Sequence, residues 1–119
     1  MMDLLSDAPT SPQHEIPADI YQLWAEAEEI WEAERKTPAF AGYVSGDFKS
    51  IYASLLQLHE GGATTFLEWG SGLGVATIMA SRIGFDAYGI EIESRLFDYS
   101  ESFAAVSYTH LTLPTILLV

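Results

Sequence analysis

Phe66-Leu67-Glu68-Trp69-Gly70-Ser71-Gly72-Leu73-Gly74 is the stretch that decides how this chain folds. Thr64 to Trp69 has the composition of a short buried strand, and Gly70 to Gly74 is a tight glycine loop. Val75 to Ile83 then reads as a helix that Gly84 stops. Ala87 to Ile92 reads as a second strand, and Ser94 to about Ala105 as another helix. Strand, helix, strand, helix with short connections is the βαβ grammar of a parallel sheet, so the fold class is α/β. A strand that ends in G-x-G-x-G and turns into a helix brings main chain close to a ligand. Side chains on Gly70 and Gly72 would block that approach. The free N–H groups at the helix start favour polar or anionic ligand atoms.

Two acids sharpen the reading. Glu68 stands two residues before the first glycine, and Glu91 closes the second strand in Tyr88-Gly89-Ile90-Glu91-Ile92-Glu93. An acid at Glu91 is placed to accept both hydroxyls of an adenosine ribose, with Glu93 as the fallback. A nicotinamide dinucleotide is the nearest competitor. Its G-x-G-x-x-G fingerprint needs a third glycine where this chain has Val75, and its pyrophosphate would meet the charge of Glu68. A ligand with a cationic end and no phosphate fits better.

Glu68-Trp69-Gly70-Ser71-Gly72-Leu73-Gly74 followed by Tyr88-Gly89-Ile90-Glu91-Ile92 resembles motif I and the second-strand acid of class I S-adenosylmethionine-dependent methyltransferases. The resemblance runs from about Thr64 to Ala105. It implies a Rossmann-like three-layer sandwich, with S-adenosylmethionine as cofactor. It implies that Glu68, the adjoining Trp69 and the loop of Gly70, Ser71, Gly72 and Gly74 line the methionine end. Glu91 would hold the ribose and Ile92 would pack on the adenine. Two strands cannot cover both faces of such a sheet, so the fold is expected to be truncated after the second strand and its following helix. Acceptor-binding and base residues normally come from later strands, so the resemblance names no catalytic residue and no methyl acceptor. The intact parent is expected to be an enzyme and the chain as written inactive. Two other classes stay open: a nucleotide-binding oxidoreductase fragment of the NAD type, and a non-catalytic domain that binds the cofactor or only keeps its fold.

Outward from this core, residues 1–17 are rich in Ser, Pro, Asp and Thr and read as a mobile leader. Residues 18–62 read as two helices of the kind that cover the cofactor cleft in this family. Pro17 opens the first, which runs to about Lys36, with Ile20, Leu23, Trp24, Ala27, Ile30 and Trp31 at helical spacing on one face. Glu26, Glu28, Glu29, Glu32 and Glu34 read as its solvated side. Ser45 or Asp47 caps the second helix, Phe48, Ile51, Tyr52, Leu55 and Leu58 supply its apolar face, and Gly61 and Gly62 end it. Tyr43 and Asp47 could touch the cofactor, although a link residue and a helix cap are the simpler readings. His14 and His59 have no spaced partner that would make a metal site.

Composition narrows the partners. Seventeen acids against 5 bases give a net charge of -12, which repels phosphate backbones, so neither nucleic acid nor an anionic membrane is an expected partner. The absence of cysteine removes disulfides, zinc thiolates and thiol nucleophiles. No signal peptide or bilayer-length apolar run is visible, and a cytoplasmic location is expected. Residues 106–119 carry no charge at all. Val106 to Thr115 resembles the one-frame translation of a transposase-based sequencing adapter, which marks the tail as non-native and leaves Tyr108 and His110 without a role. The alternative is a genuine C-terminal strand, since Thr109 to Leu113 alternates β-branched residues.

Overall fold

The computed structural model describes residues 15–43, 47–105 and 113–119. Residues 1–14 of the leader, with His14, the alternative cap Ser45, and Tyr108 and His110 of the tail all lie outside the described residues.

Helix α1, Ala18–Glu34, buries Ile20, Leu23 and Ala27, three of the positions that helical spacing placed on one face. Trp24 and Ile30 pack at the edge of the same core. The helix stops at Glu34 rather than near Lys36. Thr37 takes the Glu34 carbonyl with both its N–H, at 2.9 Å, and its hydroxyl, at 2.7 Å. Pro38 then opens a single 3-10 turn, Pro38–Phe40, that buries Phe40. Helix α2, Phe48–Glu60, is capped by Asp47, whose carboxylate accepts from the backbone N–H groups of Lys49 and Ser50. It buries Phe48, Tyr52 and Leu55, and Gly61 closes it.

Strand β1, Thr65–Trp69, leads through the glycine loop into α3, Val75–Ile83. Strand β2, Asp86–Glu91, leads into α4, Ser94–Ala105. The two strands pair in parallel, with Leu67 opposite Tyr88 and Trp69 opposite Ile90. The alternation of strand, helix, strand, helix expected from the sequence is thus present, with strand ends within one residue of those read.

A third strand, β3, Thr115–Leu118, joins in parallel on the far side of β2, giving the order β1-β2-β3. The truncation read from the sequence placed no strand here; of the alternative run Thr109 to Leu113 only Leu113 is described, and it precedes the strand. Ile116 turns inward and is buried, which gives an uncharged segment an apolar place against α4. Such pairing needs only free N–H and C=O groups along β2 and one buried side chain, so it is independent of how the segment came to be encoded.

β1 stays at the edge of the sheet. Among the described residues helices cover one face only: Ile78, Met79 and Ala80 of α3 are fully buried, whereas on the opposite face Leu67 is 52%, Leu117 49% and Trp69 75% exposed. The described residues therefore form two of the three layers expected for a Rossmann-like sandwich.

Candidate functional site

The glycine loop is shaped by its backbone. Gly70, Gly72 and Gly74 have φ of +68°, +61° and +82°, a left-handed region that side-chain-bearing residues seldom occupy. Gly72 is constrained twice, because a Cβ there would sit 2.7 Å from the Tyr43 ring. The N–H groups of Gly70 and Ser71 both donate to the Ile90 carbonyl, at 2.7 and 2.9 Å, which binds the loop to β2.

Strand alternation sends Glu68 toward α3, where the Thr77 hydroxyl donates to its carboxylate at 2.8 Å. Burial raises the Glu68 carboxyl above its ordinary value, the Thr77 bond opposes the rise, and the charge of Glu91 adds to it. Glu91 lies at the end of β2 and is buried. Its carboxylate accepts from the Gly72 N–H at 2.6 Å, from Ile92 N–H at 3.0 Å and from Glu93 N–H at 2.8 Å. One acid thus joins the glycine loop to the turn between β2 and α4. An ionised carboxylate has about four acceptor positions, so this leaves one open.

These groups floor a cavity of about 540 Å³. Of the residues singled out in the sequence, Glu68, Gly70, Ser71, Gly72, Glu91, Ile92 and the fallback Glu93 line it. Trp69 and Gly74 do not. The same alternation that turns Glu68 inward sends Trp69 to the uncovered sheet face, while Gly74 forms the N-cap of α3 beneath Ser100 and Ile116. Ile92 is 76% exposed and forms only the rim. Of the two residues left open, Tyr43 lines the cavity and Asp47 is confined to its cap. Burial first, then the charges of Glu28 and Glu68, pushes the Tyr43 phenol up to about 12.

The far wall comes from α1 and the link. Trp24, stacked on Phe48 at 4.7 Å, lines the cavity together with Ala27 and Glu28. Sequence reading assigned Glu28 to the solvated acidic face. Its position four residues after Trp24 was the available signal, because residues four apart share one side of a helix. Thr77 had no sequence signal, since its reach to Glu68 depends on how α3 folds back over β1. Gly89 was also missed as a site residue. A Cβ there would come within 2.8 Å of Ser71 and 2.9 Å of Thr77, so the loop needs a glycine opposite it.

Among the described residues the cavity carries four carboxylates, from Glu28, Glu68, Glu91 and Glu93, and no Lys, Arg or His. Among the described residues no group of acids or histidines is arranged to hold a metal ion, and no helix is long and apolar enough to cross a membrane.

No protein-family model and no curated protein matches the chain. Solved structures do. One is described as a candidate caffeoyl-CoA O-methyltransferase from Staphylococcus aureus, with a TM-score of 0.65 and 16% identity over 91% of this chain and 46% of that one. Magnesium protoporphyrin IX methyltransferase from Synechocystis PCC 6803 matches in two forms. With S-adenosylhomocysteine bound the TM-score is 0.53, at 14% identity over 79% of this chain and 50% of that one. With S-adenosylmethionine bound it is 0.53, at 16% identity over 87% and 55%. The chain therefore has the Rossmann-like α/β fold found in these methyltransferases and spans about half the length of the structures it matches.

Proposed function

We propose that the chain is the S-adenosylmethionine-binding part of a methyltransferase. The observation that carries this reading is a cavity floored by a left-handed glycine loop, walled by four carboxylates and, among the described residues, without a basic side chain. A dinucleotide would bring a pyrophosphate into this field, at a strong Coulomb cost in a partly buried site. A molecule with a sulfonium and an ammonium gains from the same field. The likeness to structures that hold S-adenosylmethionine or S-adenosylhomocysteine supports the same choice.

The residues present fit the cofactor in parts. Glu68 would receive the ammonium, and the start of α3, where Val75 and Ala76 line the cavity, would face the carboxylate of the methionine end. The remaining acceptor position of Glu91, with Glu93 beside it, would take the ribose hydroxyls, and Ile92 would lie along the adenine. When bound, the cofactor supplies an electrophilic methyl group to an acceptor by in-line displacement. What this chain contributes is alignment and water exclusion, through the fixed loop, the Tyr43 ring and the α1 wall, and that contribution is entropic. The acceptor and any base lie outside these residues' chemistry.

Titration calorimetry with S-adenosylmethionine, S-adenosylhomocysteine and NAD tests the reading. Either of the first two should bind and NAD should bind poorly. Preferred binding of NAD would move the chain to the oxidoreductase class that Val75 and Glu68 speak against.

A further inference from the structure

Helix α1 is fastened at both ends by ion pairs, and its middle forms a wall of the cavity. At its start, Asp19 meets Arg82 of α3 at 3.0 Å, and the Asp19 carbonyl takes the same guanidinium nitrogen at 3.1 Å. At its end, Glu34 receives Arg95 of α4 through two nitrogens, Nε at 2.5 Å and Nη2 at 2.9 Å. The Tyr99 hydroxyl donates to the same carboxylate, and the Arg95 guanidinium lies 5.6 Å from the Tyr99 ring centre. Between these fastenings stand Trp24, Ala27 and Glu28, the residues that α1 gives to the cavity.

The outer fastening is continuous with the acid turn. The Arg95 N–H donates to the Glu93 carboxylate at 3.2 Å, and the Glu93 N–H donates to Glu91 at 2.8 Å. Glu91 in turn holds the Gly72 N–H. Arg95 therefore joins the turn that carries Glu91 and Glu93 to the helix that carries Trp24 and Glu28. A two-point guanidinium–carboxylate contact fixes direction as well as distance, which a single-point contact does not.

We infer that Arg95 and Glu34 are positioning residues that hold α1 closed over the cavity, so that their ion pair sets ligand affinity without touching the ligand. The link to affinity rests on the S-adenosylmethionine reading; the fastening of α1 does not. The Asp19–Arg82 pair and the buried Ile20 and Leu23 keep the helix attached when the outer pair is cut. Cutting it should therefore swing the C-terminal end of α1 and leave the sheet in place.

The test uses the 119-residue chain in two measurements, hydrogen exchange without ligand and calorimetry with S-adenosylmethionine. Glu34→Gln and Arg95→Gln should each speed exchange in the second half of α1 by about threefold to fivefold, the range for loss of one well-formed exposed pair. Exchange in β1, α3 and β2 should not change. The dissociation constant should rise by about the same factor. Combining Glu34→Arg with Arg95→Glu reverses the pair and should bring both readouts back to within about twofold of the original chain, which a merely structural lesion would not allow. Unchanged α1 exchange in the single variants, or no recovery on reversal, overturns the fastening. Exchange rising equally in the sheet also overturns it, since the pair would then hold the whole fold. Looser α1 with unaltered affinity overturns the link to the cavity. If the original chain binds no S-adenosylmethionine, the functional reading fails, and the exchange measurements still decide the fastening.

Discussion

Replacing Glu91 by Ala removes the acceptor of three backbone N–H groups at once. Their costs differ. Ile92 is exposed and Glu93 half-buried, so water can take over those two donors at little loss. The Gly72 N–H is bonded to a carboxylate that is only 4% exposed, and a buried donor left unpaired costs about 1–3 kcal/mol. Loss of the link between the loop and the β2–α4 turn comes on top, so a total of about 2–3 kcal/mol is expected. For a chain of 119 residues that corresponds to a fall in Tm of roughly 8–12 °C. Glu91→Gln keeps the shape and one acceptor and should lose about half as much. S-adenosylmethionine affinity should drop tenfold or more with Ala, because a charged hydrogen bond to the ribose is worth about 1.5–3 kcal/mol. Thermal melts and calorimetry on the same preparations give both numbers. An Ala variant that melts within about 2 °C of the original and binds unchanged would refute the role given to Glu91, and the ribose would then belong to Glu93.

Glu68→Gln keeps the acceptor for Thr77 and removes a charge that burial disfavours. The folded carboxyl is raised above its unfolded value, so the penalty is absent below the unfolded pKa, grows as pH rises toward the folded one, and is constant beyond it. Melts as a function of pH should therefore show the variant gaining stability over the original chain as pH passes upward through that window, while its affinity for the cationic cofactor falls. A parallel pH dependence in both chains would remove Glu68 from the account. Gly72→Ala forces a side chain into φ +61° and against the Tyr43 ring, and should abolish measurable cofactor binding while costing about 1–3 kcal/mol in denaturant melts. Replacing Leu67 and Trp69 together by Thr should reduce hydrophobic-dye binding and aggregation, measured by fluorescence and light scattering, since both sit on the uncovered sheet face. Unaltered aggregation would place the adhesive surface elsewhere, for instance along the open edge of β1.

The alternation of strands and helices was legible in the chain because it rests on local physics. Glycine at Gly70, Gly72 and Gly74 permits the left-handed loop, the apolar spacing of Ile20, Leu23 and Ala27 defines a buried face, and Asp47 caps a helix that begins at the very next residue. Glu68 and Glu91 could be chosen from their place beside the loop for the same reason. Trp69 could not be excluded so easily. Adjacent strand residues point to opposite faces, and which face carries the cavity depends on the side where α3 and α4 lie. Glu28, Thr77 and Gly89 belong to the site only because α1, α3 and β2 converge on one loop from distant parts of the chain. The pairing of Glu34 with Arg95, 61 positions apart, and the addition of Thr115–Leu118 beside β2 were likewise decided in three dimensions. Charge and backbone freedom are properties of single residues and can be read in order; which charges share a cavity, and which free edge takes a strand, is settled by packing between elements that sequence spacing does not encode.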